Sequence, residues 1–211
     1  MSAKAPCLEV RGLTVERGRL TLVEGLDLTA CAGALVQLKG PNGSGKTTIM
    51  RTLAGLISPA AGGVSWRGQP LPDSGTFAAE LNFIGHLPGL SGELDALENL
   101  AFHAALNRAP CRCTPQAALA RLDARRFARR PVRQLSAGQR QRVALARLAL
   151  YDTRLWLIDE PFTALDIDGR RLLEDLIDEH LDAAGIVLIA THQAFDSRHR
   201  VEVIELGRRA A

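Results

Sequence analysis

The sequence predicts an α/β fold with a mostly parallel core sheet, an antiparallel β layer near its start and a largely helical middle third. Three observations lead there. Residues 8–15 and 26–28 alternate apolar and polar side chains, the period-two pattern of half-exposed strands in an antiparallel layer. Residues 155–158 and 186–190 are apolar without alternation and rich in Ile, Leu and Val, as strands covered on both faces of a parallel sheet are. Leu35-Val36-Gln37-Leu38 runs into a glycine-rich turn, and Ile49, Met50, Leu53, Leu56 and Ile57 then follow at helical spacing until Pro59. That succession is strand, loop, helix.

Beyond it, Val64-Ser65-Trp66 ahead of Gly68 predicts one more short strand and turn. A chain of 211 residues supports one sizeable core, so a single domain over residues 1–211 is expected. With 46% hydrophobic and 23% charged residues it has the composition of a folded globular protein and no disordered tract. Its apolar runs fall well short of the roughly 20 residues that a bilayer-spanning helix needs. Met1-Ser2-Ala3-Lys4-Ala5-Pro6 does not lead into the continuous apolar stretch of a secretory signal, and the chain is expected to stay in the cytosol. The four cysteines, Cys7, Cys31, Cys111 and Cys113, lack CxxC spacing and are read as reduced thiols. Arg121, Arg125, Arg126, Arg129, Arg130 and Arg133 lie among Leu119, Leu122 and Phe127, and are read as a solvated helix face. At 4% aromatic content, with no aromatic side chain interleaved in the basic run beyond Phe127, a nucleic-acid partner is not expected.

The strongest chemical signal follows residue 38. Gly40-Pro41-Asn42-Gly43-Ser44-Gly45-Lys46-Thr47 fits GxxxxGK[ST] between a strand and a helix, with Thr48 next in line. Glycines let backbone amides turn inward around phosphate oxygens, and the helix N-terminus adds unpaired N–H groups. Lys46 would neutralise the β- and γ-phosphates of ATP, and the Thr47 hydroxyl would hold Mg²⁺. Asp159 and Glu160 end an apolar run that offers no other reason for charge. In open parallel sheets ligands bind beyond the carboxyl ends of the strands, which also marks Thr191 and His192 as site candidates. Asp159 would hold Mg²⁺, and Glu160 would orient and deprotonate the attacking water.

Leu135-Ser136-Ala137-Gly138-Gln139 opens a helix through an S-x-x-Q capping box. Together with the phosphate loop and the carboxylate pair, it resembles the LSGGQ signature of ATP-binding cassette proteins, with Ala137 in place of one glycine. Ala164-Leu165-Asp166 is similar to their D-loop, and Thr191-His192 to their switch histidine. The resemblance spans essentially the whole chain. It implies a helical subdomain over about residues 87–135 and a head-to-tail homodimer in which one signature helix caps the γ-phosphate in the other chain's loop. Ser136, Gly138 and Gln139 would then act in trans, His192 in cis, and Asp166 would couple the two sites. Two positions depart from the pattern: His86 stands near the family's Q-loop glutamine, and Arg17 near the aromatic residue that stacks on adenine.

Residues 83–90, Phe83-Ile84-Gly85-His86-Leu87-Pro88-Gly89-Leu90, with Glu93-Leu94, residues 96–100 and Trp66-Arg67-Gly68-Gln69-Pro70, resemble one subfamily, the haem-exporter ATPases of bacterial cytochrome c maturation. That resemblance implies integral membrane permease subunits as partners. It also implies a peripheral place on the cytoplasmic face of the inner membrane, reached only through those partners.

Overall fold

The computed structural model describes residues 7–18, 20–71 and 76–207. In chain order, β1 (Cys7–Arg17) and β2 (Leu20–Cys31) lead to β3 (Leu35–Lys39) and α1 (Lys46–Leu53). Next come β4 (Ala61–Trp66), β5 (Gln69–Pro70), α2 (Phe77–Glu80) and β6 (Leu81–Ile84). The helices α3 (Ala96–Leu106), α4 (Pro115–Arg121) and α5 (Ala137–Leu150) follow, with 3-10 turns at Arg125–Phe127 and Val132–Gln134. The chain then forms β7 (Leu155–Asp159), α6 (Ile167–Asp182), β8 (Ile186–Ala190) and β9 (Val201–Glu205).

Two sheets result. β2-β1-β4-β5 is antiparallel, and β6-β7-β8-β3-β9 is parallel throughout. Along β7, Leu155 and Leu157 face one core while Trp156 and Ile158 face another, so the unbroken apolar run is buried on both sides. The first core joins Leu8, Val10 and Trp66 of the antiparallel layer to Ile49 and Met50 of α1 and to Leu188. The second packs Leu173 and Ile177 of α6 on the opposite face of the parallel sheet. A third is helical and centres on Leu100, Leu119, Phe127, Val143 and Leu150. Within the described residues, no helix is long and apolar enough to cross a membrane.

Four expectations are corrected. Cys7 and Cys31 form a disulfide, because the antiparallel register places them opposite one another with Cα atoms 4.1 Å apart; Cys111 and Cys113 are free. The second strand begins at Leu20, not at residue 26, since its first half is too exposed to show apolar alternation. The first helix stops at Leu53: Gly55 takes φ +74°, its N–H donates to Thr52, and the Leu56 N–H donates back to Arg51. That left-handed closure ends the helix before Leu56 and Ile57. The arginines from 121 to 133 do not share one helix face, because α4 ends at Arg121 and Asp123 turns the chain with φ +49°. They are instead solvated individually, with Arg121 paired to Glu179 at 2.7 Å, Arg129 to Asp95 at 3.5 Å, and Arg133 to Glu93.

Candidate active site

β3 delivers the phosphate loop to the carboxyl edge of the parallel sheet, and the backbone there requires glycine. Gly45, the residue before α1, has φ +96°, and a Cβ on it would lie 3.0 Å from the Leu22 side chain. A Cβ on Gly40 would come within 2.7 Å of both the Leu206 carbonyl and Ser44 Oγ. Lys46 is buried, and its ammonium donates to the Gly40 and Pro41 carbonyls at 2.7 and 3.2 Å. The same ammonium lies 3.5 Å from Glu160 Oε1, which ties the loop to the end of β7.

Beside it opens a cleft of about 590 Å³. Asn42, Gly43, Gly45, Lys46, Thr47 and Thr48 line its phosphate side, and Glu160 and His86 its far wall. Arg17 stands at the cleft as the sequence predicts, together with Leu22, Arg51 and Ile57, which sequence reasoning missed. Arg17, Lys46 and Arg51 against Glu160 leave the lining net positive, suited to a polyphosphate.

Asp159 is 1% exposed, and burial raises its pKa, with the nearby Thr47 hydroxyl opposing the shift. Neither carboxylate oxygen makes a hydrogen bond of full geometry, and the Ser44 hydroxyl is likewise buried without a partner. A buried carboxylate short of donors beside a hydroxyl is the hard-oxygen set that Mg²⁺ takes, with phosphate oxygens and water filling its remaining positions. Among the described residues no cluster of three or more His, Cys, Asp or Glu is placed to hold a metal ion.

Glu160 has φ +50° and donates its N–H to the Ala190 carbonyl at 2.7 Å, which turns its side chain off the end of β7. His192 Nδ1 stands 3.2 Å from Glu160 Oε2. Gln37, the lone polar residue in the apolar β3 run, donates to the Thr191 and Gln193 carbonyls at 3.2 and 3.3 Å and so fixes the segment that carries His192. That polar interruption was the available signal for a residue sequence reasoning passed over.

Ser136, Gly138, Gln139 and Asp166 are not among the residues lining the cleft. Ser136 caps α5: its hydroxyl accepts from the Gln139 N–H at 3.2 Å, while the Gln139 carboxamide oxygen accepts from the Ser136 N–H at 3.0 Å. A Cβ on Gly138 would lie 2.6 Å from the Ala164 carbonyl, so only glycine lets the signature helix approach that loop. Asp166 caps α6 and is gripped by the buried Arg142 at 2.5 Å, which holds its pKa below the usual carboxylate range. Arg142 is another residue that sequence reasoning missed.

The family model described as ABC transporter matches residues 23–163, a span that contains the phosphate loop, the signature and the carboxylate pair. The chain belongs to the ABC transporter family. This cassette is an ATPase of that family, and it is 48% identical to the Cytochrome c biogenesis ATP-binding export protein CcmA of Escherichia coli O157:H7, over 88% of this chain and 89% of the relative. It is 45% identical to the protein of the same name from Methylococcus capsulatus, over 94% and 96% respectively. Among solved structures it resembles a dimeric bacterial ABC transporter cassette, with a TM-score of 0.81 and 26% identity over 95% of this chain and 94% of that one. It also resembles a dimeric ATP-binding cassette in a post-hydrolysis state bound to ADP and Pi, with a TM-score of 0.78 and 25% identity over 88% of each chain.

Proposed function

We propose that this cassette is the ATP-hydrolysing subunit of a haem-exporter-type complex, powering release of haem-loaded chaperone in cytochrome c biogenesis. The observation that carries the cytochrome c assignment is the 48% identity to a protein named for that process, sustained over nearly nine tenths of both chains. The site supports the chemistry. Amides of the loop from Gly40 to Thr48, with Lys46, cradle the phosphates of ATP at the start of α1. Thr47 and Asp159 hold Mg²⁺, whose contribution there is to neutralise phosphate charge. Glu160, steadied by Lys46 and His192, orients the attacking water and accepts its proton. His192 reaches the γ-phosphate from the same chain, His86 faces the water side of the cleft, and the Arg17 guanidinium plane stacks on the base.

The same reading takes residues 1–211 as one domain with a helical subdomain over about residues 87–135. A second copy, associated head to tail, contributes Ser136, Gly138 and Gln139 to each nucleotide, and Asp166 links the two sites. The exposure of Ser136 and its absence from the cleft lining favour that arrangement. Integral permease subunits of the CcmB and CcmC kind place the cassette on the cytoplasmic face of the bacterial inner membrane.

The test is haem staining of c-type cytochromes in cells lacking this gene, complemented with the wild type or with Glu160→Gln. Staining restored by the wild type alone supports the proposal. Normal staining without the gene, and with no second copy present, assigns the ATPase to another cargo.

A further inference from the structure

His192 rides on a segment without regular structure. β8 ends at Ala190, residues 191–200 form neither helix nor strand, and among the described residues no backbone–backbone hydrogen bond involves residues 192–195. Burial does not hold the imidazole either, since its side chain is 56% exposed. The 3.2 Å approach of His192 Nδ1 to Glu160 Oε2 therefore depends on side chains that grip this segment and the turn after β7. Gln37 bonds the segment from β3 through the Thr191 and Gln193 carbonyls.

Arg170, in the first turn of α6, reaches both pieces. Its Nη1 donates to Gln193 Oε1 at 3.0 Å and its Nη2 to the Ala194 carbonyl. Its guanidinium carbon lies 4.9 Å from the centroid of the Phe162 ring, a cation–π contact. Phe162 is 2% exposed and follows Glu160 by two residues, in a turn where the Thr163 N–H donates to the Glu160 carbonyl at 3.3 Å. The Phe162 ring also stacks on Phe195, with centroids 5.4 Å apart. Arg170 itself has a fixed base, because its N–H donates to the Asp166 carbonyl at 2.9 Å in the capped start of α6. A guanidinium is a planar fork of donors that also stacks on aromatic faces, so one side chain orients two acceptors and a ring at once.

We propose that Arg170 is a positioning residue for ATP hydrolysis: it holds Gln193 and Ala194 against the Phe162 turn and so sets His192 at Glu160. Arg170 has this role only if His192 acts in hydrolysis, as proposed above. Removing the guanidinium costs little stability, because the Ala194 carbonyl belongs to an exposed residue and water replaces the lost donor. What is lost is the fixed placement, and a displacement of about 1 Å at a reacting group can cost about a hundredfold in rate.

The test is hydrolysis of γ-labelled ATP by the full chain as wild type, Arg170→Met, His192→Ala and the double variant, with single turnovers followed where steady-state rates are slow. Arg170→Met is expected to lower kcat about tenfold and to leave KM for ATP within about twofold, because the phosphate loop is untouched. In the His192→Ala background the same substitution is expected to change kcat by less than about twofold, since no imidazole remains to be placed. A wild-type kcat in Arg170→Met overturns the proposal, and so does an equal loss in both backgrounds, which is what a merely structural role gives. A wild-type rate in His192→Ala removes His192 from the reaction and the role of Arg170 with it, whereas loss in His192→Ala alone leaves His192 in place and removes only Arg170. Should Arg170→Met not fold, Gln193→Ala, which deletes one of the two acceptors and leaves α6 intact, is read by the same comparison.

Discussion

Asp159 and Glu160 are adjacent in sequence but meet different partners. Glu160 lies within 3.5 Å of Lys46 and 3.2 Å of His192, whereas Asp159 is buried with both oxygens short of donors. This difference predicts a pH dependence. Burial raises the Asp159 pKa above its ordinary 3.8, so the native state keeps this proton to higher pH than the unfolded chain does. Stability therefore falls as pH rises from about 3.8 through the raised native value, and the full cost is present above that value. Asp159→Asn should raise the melting temperature at pH 7 by a few degrees, at about 2–4 °C per kcal/mol for a domain of this size. The gain should vanish below about pH 3, where both states hold the proton. Thermal melts of the two proteins across that range check it, and a variant no more stable at pH 7 contradicts it. At this scale the sequence was most legible where chemistry constrains residue type, as in the phosphate loop and the carboxylate pair. Gln37 and Arg142 were harder to find because they act through partners 154 and 24 residues away.

Elements were legible where burial writes a pattern. β7 and β8 are buried along their whole length and read as unbroken apolar runs. β6 is four residues long and includes the buried Asn82, whose amide donates to the Arg147 carbonyl, so neither alternation nor an apolar run marked it. The Cys7–Cys31 bridge depends on register across 24 residues, which no local pattern encodes. Constraining a loop of that length contributes about 3 kcal/mol in the chain-entropy treatment. Dithiothreitol should lower the melting temperature of the wild type and leave Cys7→Ser unaffected; equal sensitivity of both proteins contradicts the assignment. α6 carries a second titration. His180 stacks on Trp156 with ring centroids 3.8 Å apart, and a Cβ on Gly185 would fall 2.3 Å from its Nε2. Burial lowers its pKa from 6.5 to about 4, so its contribution is complete above pH 6.5 and is lost as pH falls towards 4. The loss is at most about 3 kcal/mol. His180→Phe should flatten the acid limb of the stability curve between those values, though not entirely, since burial and Arg147 lower the His103 pKa in the same direction. An unchanged limb in urea titrations at pH 7 and pH 4.5 refutes this role.

For the whole molecule, one chain presents a phosphate loop and Glu160 around one cleft, with the buried Asp159 beside Glu160 in sequence, and leaves its signature residues outside that cleft. The fold class was legible because two antiparallel segments alternate apolar and polar residues while the parallel strands read as apolar runs without alternation. The assembly was legible only through the family resemblance, because the signature segment by itself shows no more than the exposed, capped start of a helix. The proposed function therefore requires that ATP bring two copies together. The measurement is sedimentation of the Glu160→Gln protein with and without ATP, where hydrolysis cannot dissolve the complex. A dimer that forms only with ATP, and fails to form when Gly138→Asp is added, is the predicted result. A monomer at saturating ATP would contradict the shared site.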